Sequence, residues 1–181
     1  MKNKSIAESS EISLRIERYE DIFSDFDIRP YARRSLSVDF LEELKRASYD
    51  KENNGIEIDF WVPAHIHNQS IEVIIRERLQ EHFRKHFNLL LKEKKQIINQ
   101  GIKMVILGIM FMLMASYIIF RDPAENLLLS FLVVFLEPAA WFLLWEGMDI
   151  IIFTPKNINH QLEFYKKMSH SRSDIHFRVI E

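Results

Sequence analysis

Residues 104–120, MVILGIMFMLMASYIIF, contain no charged side chain, and residues 127–153, LLLSFLVVFLEPAAWFLLWEGMDIIIF, form a second apolar block. A helix needs about 20 apolar residues to cross the hydrocarbon core of a bilayer. A soluble domain in a chain of 181 residues has no room to enclose two such helices. The sequence therefore predicts a transmembrane helical hairpin with spans at about 102–120 and 127–146.

Basic residues are distributed unequally around the two apolar blocks. Residues 84–103 hold six Lys or Arg against one acid, and residues 154–172 hold four against one acid. The connection between the blocks, RDPAEN, holds only Arg121. Because cytoplasmic flanks of membrane helices are enriched in Lys and Arg, we expect a multi-pass inner-membrane protein with both termini cytoplasmic.

Three stretches alternate between apolar and polar residues: Ile12–Arg18, Ile56–Val62 and Asp174–Ile180. This period of two is typical of half-buried strands. Three strands with one apolar face each predict a single small sheet. Because the third strand follows the apolar blocks, the hairpin is expected to be an insertion in a cytoplasmic domain.

Two helices are predicted beside the strands. Ser37–Ser48 begins with a Ser cap and has acids early and bases late, the order that the helix dipole favours. Ser70–Phe120 contains no proline, and its only glycines are Gly101 and Gly108, so one helix is expected to run throughout. Its first half carries an apolar stripe that is expected to pack on the sheet or on a neighbouring subunit: Ile71, Ile75, Leu79, Phe83, Phe87 and Leu90.

The predicted fold class is a membrane α+β protein. A two-helix transmembrane hairpin, residues 101–153, is inserted in a small cytoplasmic αβ domain with a three-stranded sheet and a long helix that continues into the first span. Residues 1–100 form the N-terminal part of that domain, and residues 154–181 complete it with a helix and a strand.

Glu137 is the leading candidate for a functional residue. If the second helix enters the bilayer near Leu127, Glu137 lies close to the midplane, where a carboxylate costs roughly 2.5 to 3.5 kcal/mol. Such a residue faces a bundle interior or a water path, or it is a protonated acid that fastens helices together. Two helices cannot hide it from lipid, so a role in permeation requires a homo-oligomer.

Glu146 and Asp149 lie three residues apart near the inner end of the second block. Their side chains can meet on a helix and form a cation site at the cytoplasmic mouth of an ion path. Ordinary solvation at the membrane interface explains them equally well.

The segment DIFSDFDIRPYARRS combines three acids with Arg29, Arg33 and Arg34. An arginine cluster of this kind binds phosphate groups, whereas mutual ion pairing with the acids is the simpler interpretation. His82 and His86 are spaced to share a zinc ion, but their cationic neighbours favour an exposed helix face. His65 and His67 in PAHIHN give only weak and unspecific evidence for a metal site.

Composition excludes several classes of protein. The chain has no cysteine, so disulfides and thiolate metal sites are impossible, and its net charge of −2 indicates no nucleic-acid partner. No glycine-rich phosphate loop, nucleophile elbow or metalloprotease helix is present, which disfavours an enzyme and predicts no cofactor. The expected partners are the lipid bilayer, further copies of the chain and a cytoplasmic protein.

Two strings carry a resemblance to a known group of proteins. YEDIFSDFDIRPYARRSLSVDFLEELKRAS, residues 19–48, and LEPAAWFLLWEG, residues 136–147, resemble an uncharacterised family of prokaryotic two-span membrane proteins. The resemblance implies two spans and transfers no activity and no site.

Two functional hypotheses follow from these patterns. The first is a homo-oligomeric channel or transport-related membrane protein in which Glu137 lines a path. The second is a membrane-anchored scaffold or sensor whose cytoplasmic domain binds a protein or a phosphorylated ligand through Arg29, Arg33 and Arg34. A third, a membrane-bound hydrolase using the Asp-rich segment, would need a divalent metal.

Overall fold

The computed structural model describes residues 11–51, 56–121, 126–169 and 174–180. Within these ranges the chain forms three strands and four α-helices. In chain order they are β1 (Glu11–Arg15), a 3₁₀ helix (Tyr19–Ile22), α1 (Val38–Ala47), β2 (Glu57–Pro63), α2 (Gln69–Arg121), α3 (Leu127–Ile152), α4 (Thr154–Ser169) and β3 (Ile175–Ile180).

The three strands form one parallel sheet in the order β1-β2-β3. Ile12 of β1 is aligned with Ile58 of β2, which is aligned in turn with Ile175 of β3. The alternation thus places the same apolar set on one face of all three strands. The predicted three-stranded sheet is confirmed, and β1 ends three residues earlier than the pattern suggested.

The inner face of the sheet is covered by α1, α2 and the C-terminal part of α4. Phe60 of β2 lies 5.9 Å from Phe40 of α1 between ring centroids, and Phe83 of α2 lies 6.1 Å from Phe164 of α4. The predicted stripe on the long helix belongs to this core, because its central members are completely buried: Ile75, Leu79 and Phe83.

The predicted long helix is confirmed as α2, a continuous helix of 53 residues. Two helical stretches, Gln69–Arg121 and Leu127–Lys156, are long and apolar enough to cross a membrane. Of the most apolar 18-residue segment in each stretch, only 11% is buried inside the chain itself. Pro138 lies inside α3, which continues through it.

The chain divides into two compact units. One, the αβ unit, consists of Met1–Leu89 with Gln161–Glu181, and the other, the hairpin unit, is Leu90–His160. β3 pairs with β2 although two long helices separate them in sequence, so the αβ unit is assembled from both ends of the chain.

Candidate functional site

The two helices of the hairpin unit pack along glycines. A Cβ added to Gly101 would lie 2.8 Å from the carbonyl oxygen of Gly147, and one added to Gly147 would lie 2.9 Å from the carbonyl oxygen of Gly101. One added to Gly108 would lie 3.0 Å from the carbonyl oxygen of Ala140. The backbones of α2 and α3 therefore approach as closely as small residues allow, which is the usual mode of helix packing in membranes.

The contact between these helices, termed the glycine seam, repeats every seven residues. Gly101, Gly108 and Ala115 follow this spacing on α2, and Ala140 and Gly147 follow it on α3. A seven-residue repeat keeps one stripe facing a partner helix in a left-handed pair. Because the stripe consists of glycine and alanine, the interior of the single hairpin offers no polar path along the seam.

Glu137 lies outside the glycine seam. Its neighbours Leu136 and Ala140 are 5% and 0% exposed, whereas the Glu137 side chain is on the exposed surface of α3. The carboxyl group forms no hydrogen bond or ion pair with any residue in the described part of the chain. One copy of the chain therefore leaves this acid without shelter.

Glu146 and Asp149 lie on the last turns of α3. Glu146 is half-buried and Asp149 is exposed, and neither carboxylate is bonded to a basic side chain among the described residues. Elsewhere in the hairpin unit, Lys94 donates a hydrogen bond to Asn159 at 2.8 Å. Neither acid is therefore ion-paired within the described residues, and both interpretations of the pair stay predictions.

In the αβ unit, Asp27 organises the loop of residues 24–35. Its carboxylate accepts hydrogen bonds from Arg29 Nη2 at 2.7 Å and from the backbone N–H of Ser35 at 2.7 Å. The bond from Arg29 lowers the pKa of the Asp27 carboxyl well below its usual range. Arg29 is thus ion-paired with an acid of its own loop, the simpler of the two interpretations of this segment.

The other two arginines of that segment have different surroundings. Arg34 donates from Nε and Nη2 to the carbonyl oxygen of Ser24 at 3.2 and 3.1 Å, and its guanidinium lies 5.9 Å from the centre of the Phe23 ring. Arg33 is exposed and makes no side-chain bond within the described residues. Of the three guanidinium groups, that of Arg33 is therefore the one without a partner among the described residues.

Two apolar side chains project from the same loop. Phe26 is 99% exposed and Ile28 is 97% exposed, although the Asp27 carboxylate between them is held by Arg29 and Ser35 of the loop. The loop base is closed by a backbone bridge between Phe23 and Leu36. Sequence patterns alone did not single out this pair, because isolated apolar residues in a charged loop have no periodicity.

A hydrogen-bonded acid lies at the carboxyl end of the sheet. Glu72 of α2 is 5% exposed and accepts a 2.6 Å hydrogen bond from the Tyr19 hydroxyl. His67 Nδ1 lies 2.8 Å from the same carboxylate oxygen, and the backbone N–H of Asn68 donates to the Tyr19 hydroxyl at 3.0 Å. Burial raises the pKa of Tyr19 to about 12.

This Tyr19–His67–Glu72 group joins the segments that follow β1 and β2 to the first turn of α2. The carboxyl edge of a parallel sheet is the usual place for ligands in α/β folds. Sequence reasoning noted His67 only as a weak signal and did not identify Glu72, since an acid in the first turn of a helix normally faces solvent.

The polar face of the sheet contains a buried ion pair. Asp59 of β2 is 1% exposed, and Arg178 Nε of β3 lies 2.6 Å from its Oδ2. The Arg178 guanidinium also lies 5.7 Å from the centre of the Trp61 ring. The contact is ionic, because the carboxylate accepts no aligned hydrogen bond. It links the central strand to the strand contributed by the C-terminus.

The interpretation of His82 and His86 as an exposed helix face is wrong. Both side chains are half-buried, with ring centroids 4.2 Å apart, and His86 stacks on Tyr165 of α4 at 5.2 Å. Burial lowers the pKa of His82 to about 4. These two histidines are covered because α4 packs against the side of α2 that carries them.

No group of three or more potential metal ligands occurs among the residues that the structure describes. His82 and His86 therefore have no third ligand beside them in the described ranges. Comparison of the chain with protein families, with curated proteins and with solved structures found no match.

Proposed function

We propose that the chain is a homo-oligomeric integral membrane protein of the channel or transport class, in which Glu137 lines a path for cations. The C-terminal half of α2 and all of α3 would cross the inner membrane, with both termini in the cytoplasm. The observation that carries the proposal is the exposure of Glu137 on an apolar helix without any partner among the described residues of its own chain.

An acid that neither water nor protein shelters is costly in lipid. A carboxylate at the centre of a bilayer costs roughly 2.5 to 3.5 kcal/mol or more, so such residues face water or protein. Because the glycine seam is closed and apolar, neither water nor protein is available to Glu137 inside one hairpin. Association of several hairpins around the Glu137 side of α3 would supply both.

Ion flux through reconstituted liposomes tests the proposal. The full-length protein should conduct cations, and Glu137→Gln should reduce the flux to that of empty liposomes because the neutral amide no longer attracts a cation. Glu163→Gln is the control, since it removes the same charge at an exposed position outside the apolar blocks, and it should leave most of the flux intact. Wild-type protein that conducts no more than empty liposomes would refute the proposed function.

A second candidate function is a membrane-anchored scaffold or sensor whose αβ unit binds a cytoplasmic protein. The exposed pair Phe26 and Ile28, on a loop held by Asp27, favours this alternative, and the exposed Arg33 adds a charge to the same loop. A phosphorylated ligand has less support, because Arg29 and Arg34 already have partners in the loop.

Affinity capture from a lysate distinguishes this second function. A Phe26→Ser, Ile28→Ser variant should lose a bound partner that the wild-type chain retains, while Val38→Ser, at another exposed apolar position of the αβ unit, should keep it. A partner that is retained equally by both variants would exclude this loop as the binding site.

A further inference from the structure

We propose that Glu137 of one subunit hydrogen-bonds to Glu137 of a second copy, with one of the two carboxyl groups protonated, and that this pair joins the subunits. The inference rests on the proposed function, because it requires α3 to lie in the bilayer. It goes further by naming the occupant of the exposed Glu137 side of α3 and the bond that holds it there.

The depth of Glu137 in the bilayer decides which groups of a second copy it can meet. Copies of one chain insert with the same topology, so Glu137 lies at the same depth in each of them. A two-fold axis along the membrane normal then brings equivalent residues of two copies face to face. Glu137 is therefore the group that meets Glu137 when two α3 helices associate on this side.

The second step concerns the available partners. On α2 no charged side chain lies between Lys103 and Arg121, and Tyr117 is the one titratable group of that stretch. On α3 no other charged side chain precedes Glu146. A homo-oligomer thus contains no basic group at the depth of Glu137, and its nearest ionisable partner is a second Glu137. Two carboxyl groups in contact share a proton, because both cannot be charged at that distance.

The third step concerns the face of the helix. Val134 and Trp141 lie three residues before and four residues after Glu137, so all three share one side of α3. Val134 is 69% exposed and Trp141 is 65% exposed. The seam residues Ala140 and Gly147 lie about 60° and 80° of helix rotation from Glu137 on the opposite flank from Val134 and Trp141. A second copy that approaches on the Val134–Trp141 flank therefore reaches Glu137 beside the seam.

Cysteine cross-linking in liposomes tests the contact, because the chain has no cysteine of its own. Trp141→Cys lies on the proposed face, and Phe142→Cys is the matched control: both positions are 65% exposed and they are adjacent in sequence. About 100° of helix rotation separates them. We expect a disulfide-linked dimer from Trp141→Cys and none from Phe142→Cys. Equal cross-linking at both positions, or at Phe142→Cys alone, would overturn the proposal.

Substitution of Glu137 in the Trp141→Cys background tests the bond itself. Glu137→Gln should keep the dimer, because an amide pair forms hydrogen bonds between membrane helices. Glu137→Leu should lose it, although leucine is fully compatible with an apolar span and the hairpin still inserts. A Glu137→Leu protein that cross-links as well as wild type would contradict the pairing.

The outcomes separate this inference from the proposed function. Cross-linked dimers without cation flux would leave the Glu137 pair standing and remove the channel. Flux that depends on Glu137, combined with failure of the Trp141→Cys dimer, would keep the channel and remove the pair.

Discussion

Asp59 and Arg178 illustrate at the residue scale how the αβ unit accommodates a buried charge. A carboxylate that is 1% exposed is costly unless it is paired. The guanidinium of Arg178, whose side chain is 50% exposed, reaches it from the neighbouring strand at 2.6 Å. The pair therefore stabilises attachment of β3 only while both partners are present.

Arg178→Ala should lower the free energy of unfolding of the αβ unit by about 3 kcal/mol, because it leaves Asp59 buried without a counter-charge. Thermal unfolding of the full-length protein in detergent, followed by circular dichroism, measures the effect. Combining Arg178→Ala with Asp59→Asn should restore part of the loss, since the neutral amide is cheaper to bury. If the single variant unfolds like wild type, the ion pair contributes nothing to stability.

His82 gives a pH dependence with a definite sign. Burial lowers its pKa from 6.5 to about 4 in the folded chain, so the folded state favours the neutral ring. Nearby His86, Arg78 and Lys85 act in the same direction. The associated stability is present above pH 6.5 and is lost as the pH falls from 6.5 towards 4.

We expect this loss to be about 2 kcal/mol, reduced from the full shift because solvent screens a partly exposed ring. Urea unfolding measured at several pH values in that window tests it. A His82→Phe variant, which keeps the aromatic packing against α4, should remove most of the dependence. A wild-type protein whose stability is constant over the window would show that His82 titrates normally.

At the scale of the element, the two long helices depend on the absence of side chains where they meet. Gly147 lies so close to Gly101 that an added Cβ would be 2.9 Å from a carbonyl oxygen and 2.8 Å from the Val105 side chain. Backbone cannot yield as a flexible side chain does, so the helices themselves would have to separate.

Gly147→Ala should therefore destabilise the hairpin by about 1 to 3 kcal/mol, the usual cost of overpacking. The control is Met148→Ala, at the next residue, which is 51% exposed and outside the seam. Resistance to unfolding in increasing concentrations of a denaturing detergent compares the two. Equal resistance of Gly147→Ala and wild type would mean that the hairpin is not held by this contact.

At the scale of the whole molecule, the order of elements requires both ends of the chain to meet. β3 follows α4 and pairs in parallel with β2, which precedes α2. If α2 and α3 cross a bilayer, residues before and after the hairpin must lie on the same side of it. The sheet topology thus supports a common side for the two flanks, whereas the assignment of that side to the cytoplasm rests on the distribution of Lys and Arg.

Labelling with a membrane-impermeant maleimide checks this orientation in intact cells. A cysteine at Ala124, in the connection between the apolar blocks, should react from outside if the proposed topology is correct. Cysteines at Lys92 and His160 should react only after the membrane is opened. Labelling of all three positions in intact cells would place the hairpin in the aqueous phase and refute the membrane assignment.

The sequence by itself determined the elements with strong local patterns. The apolar blocks, the alternating strands and the unbroken long helix follow from hydropathy and periodicity, which depend only on neighbouring residues. The exposure of Glu137 could also be inferred in part from the sequence, because two helices are too few to enclose an acid.

Only the tertiary structure decided the parallel order of the sheet, the burial of Asp59 and Glu72, the cover over His82 and the facing pair Gly101 and Gly147. Each of these depends on a partner far away in sequence: Arg178 for Asp59, Tyr19 for Glu72 and Tyr165 beside the histidines. A local pattern records how polar a residue is, whereas its burial depends on which distant segment packs against it.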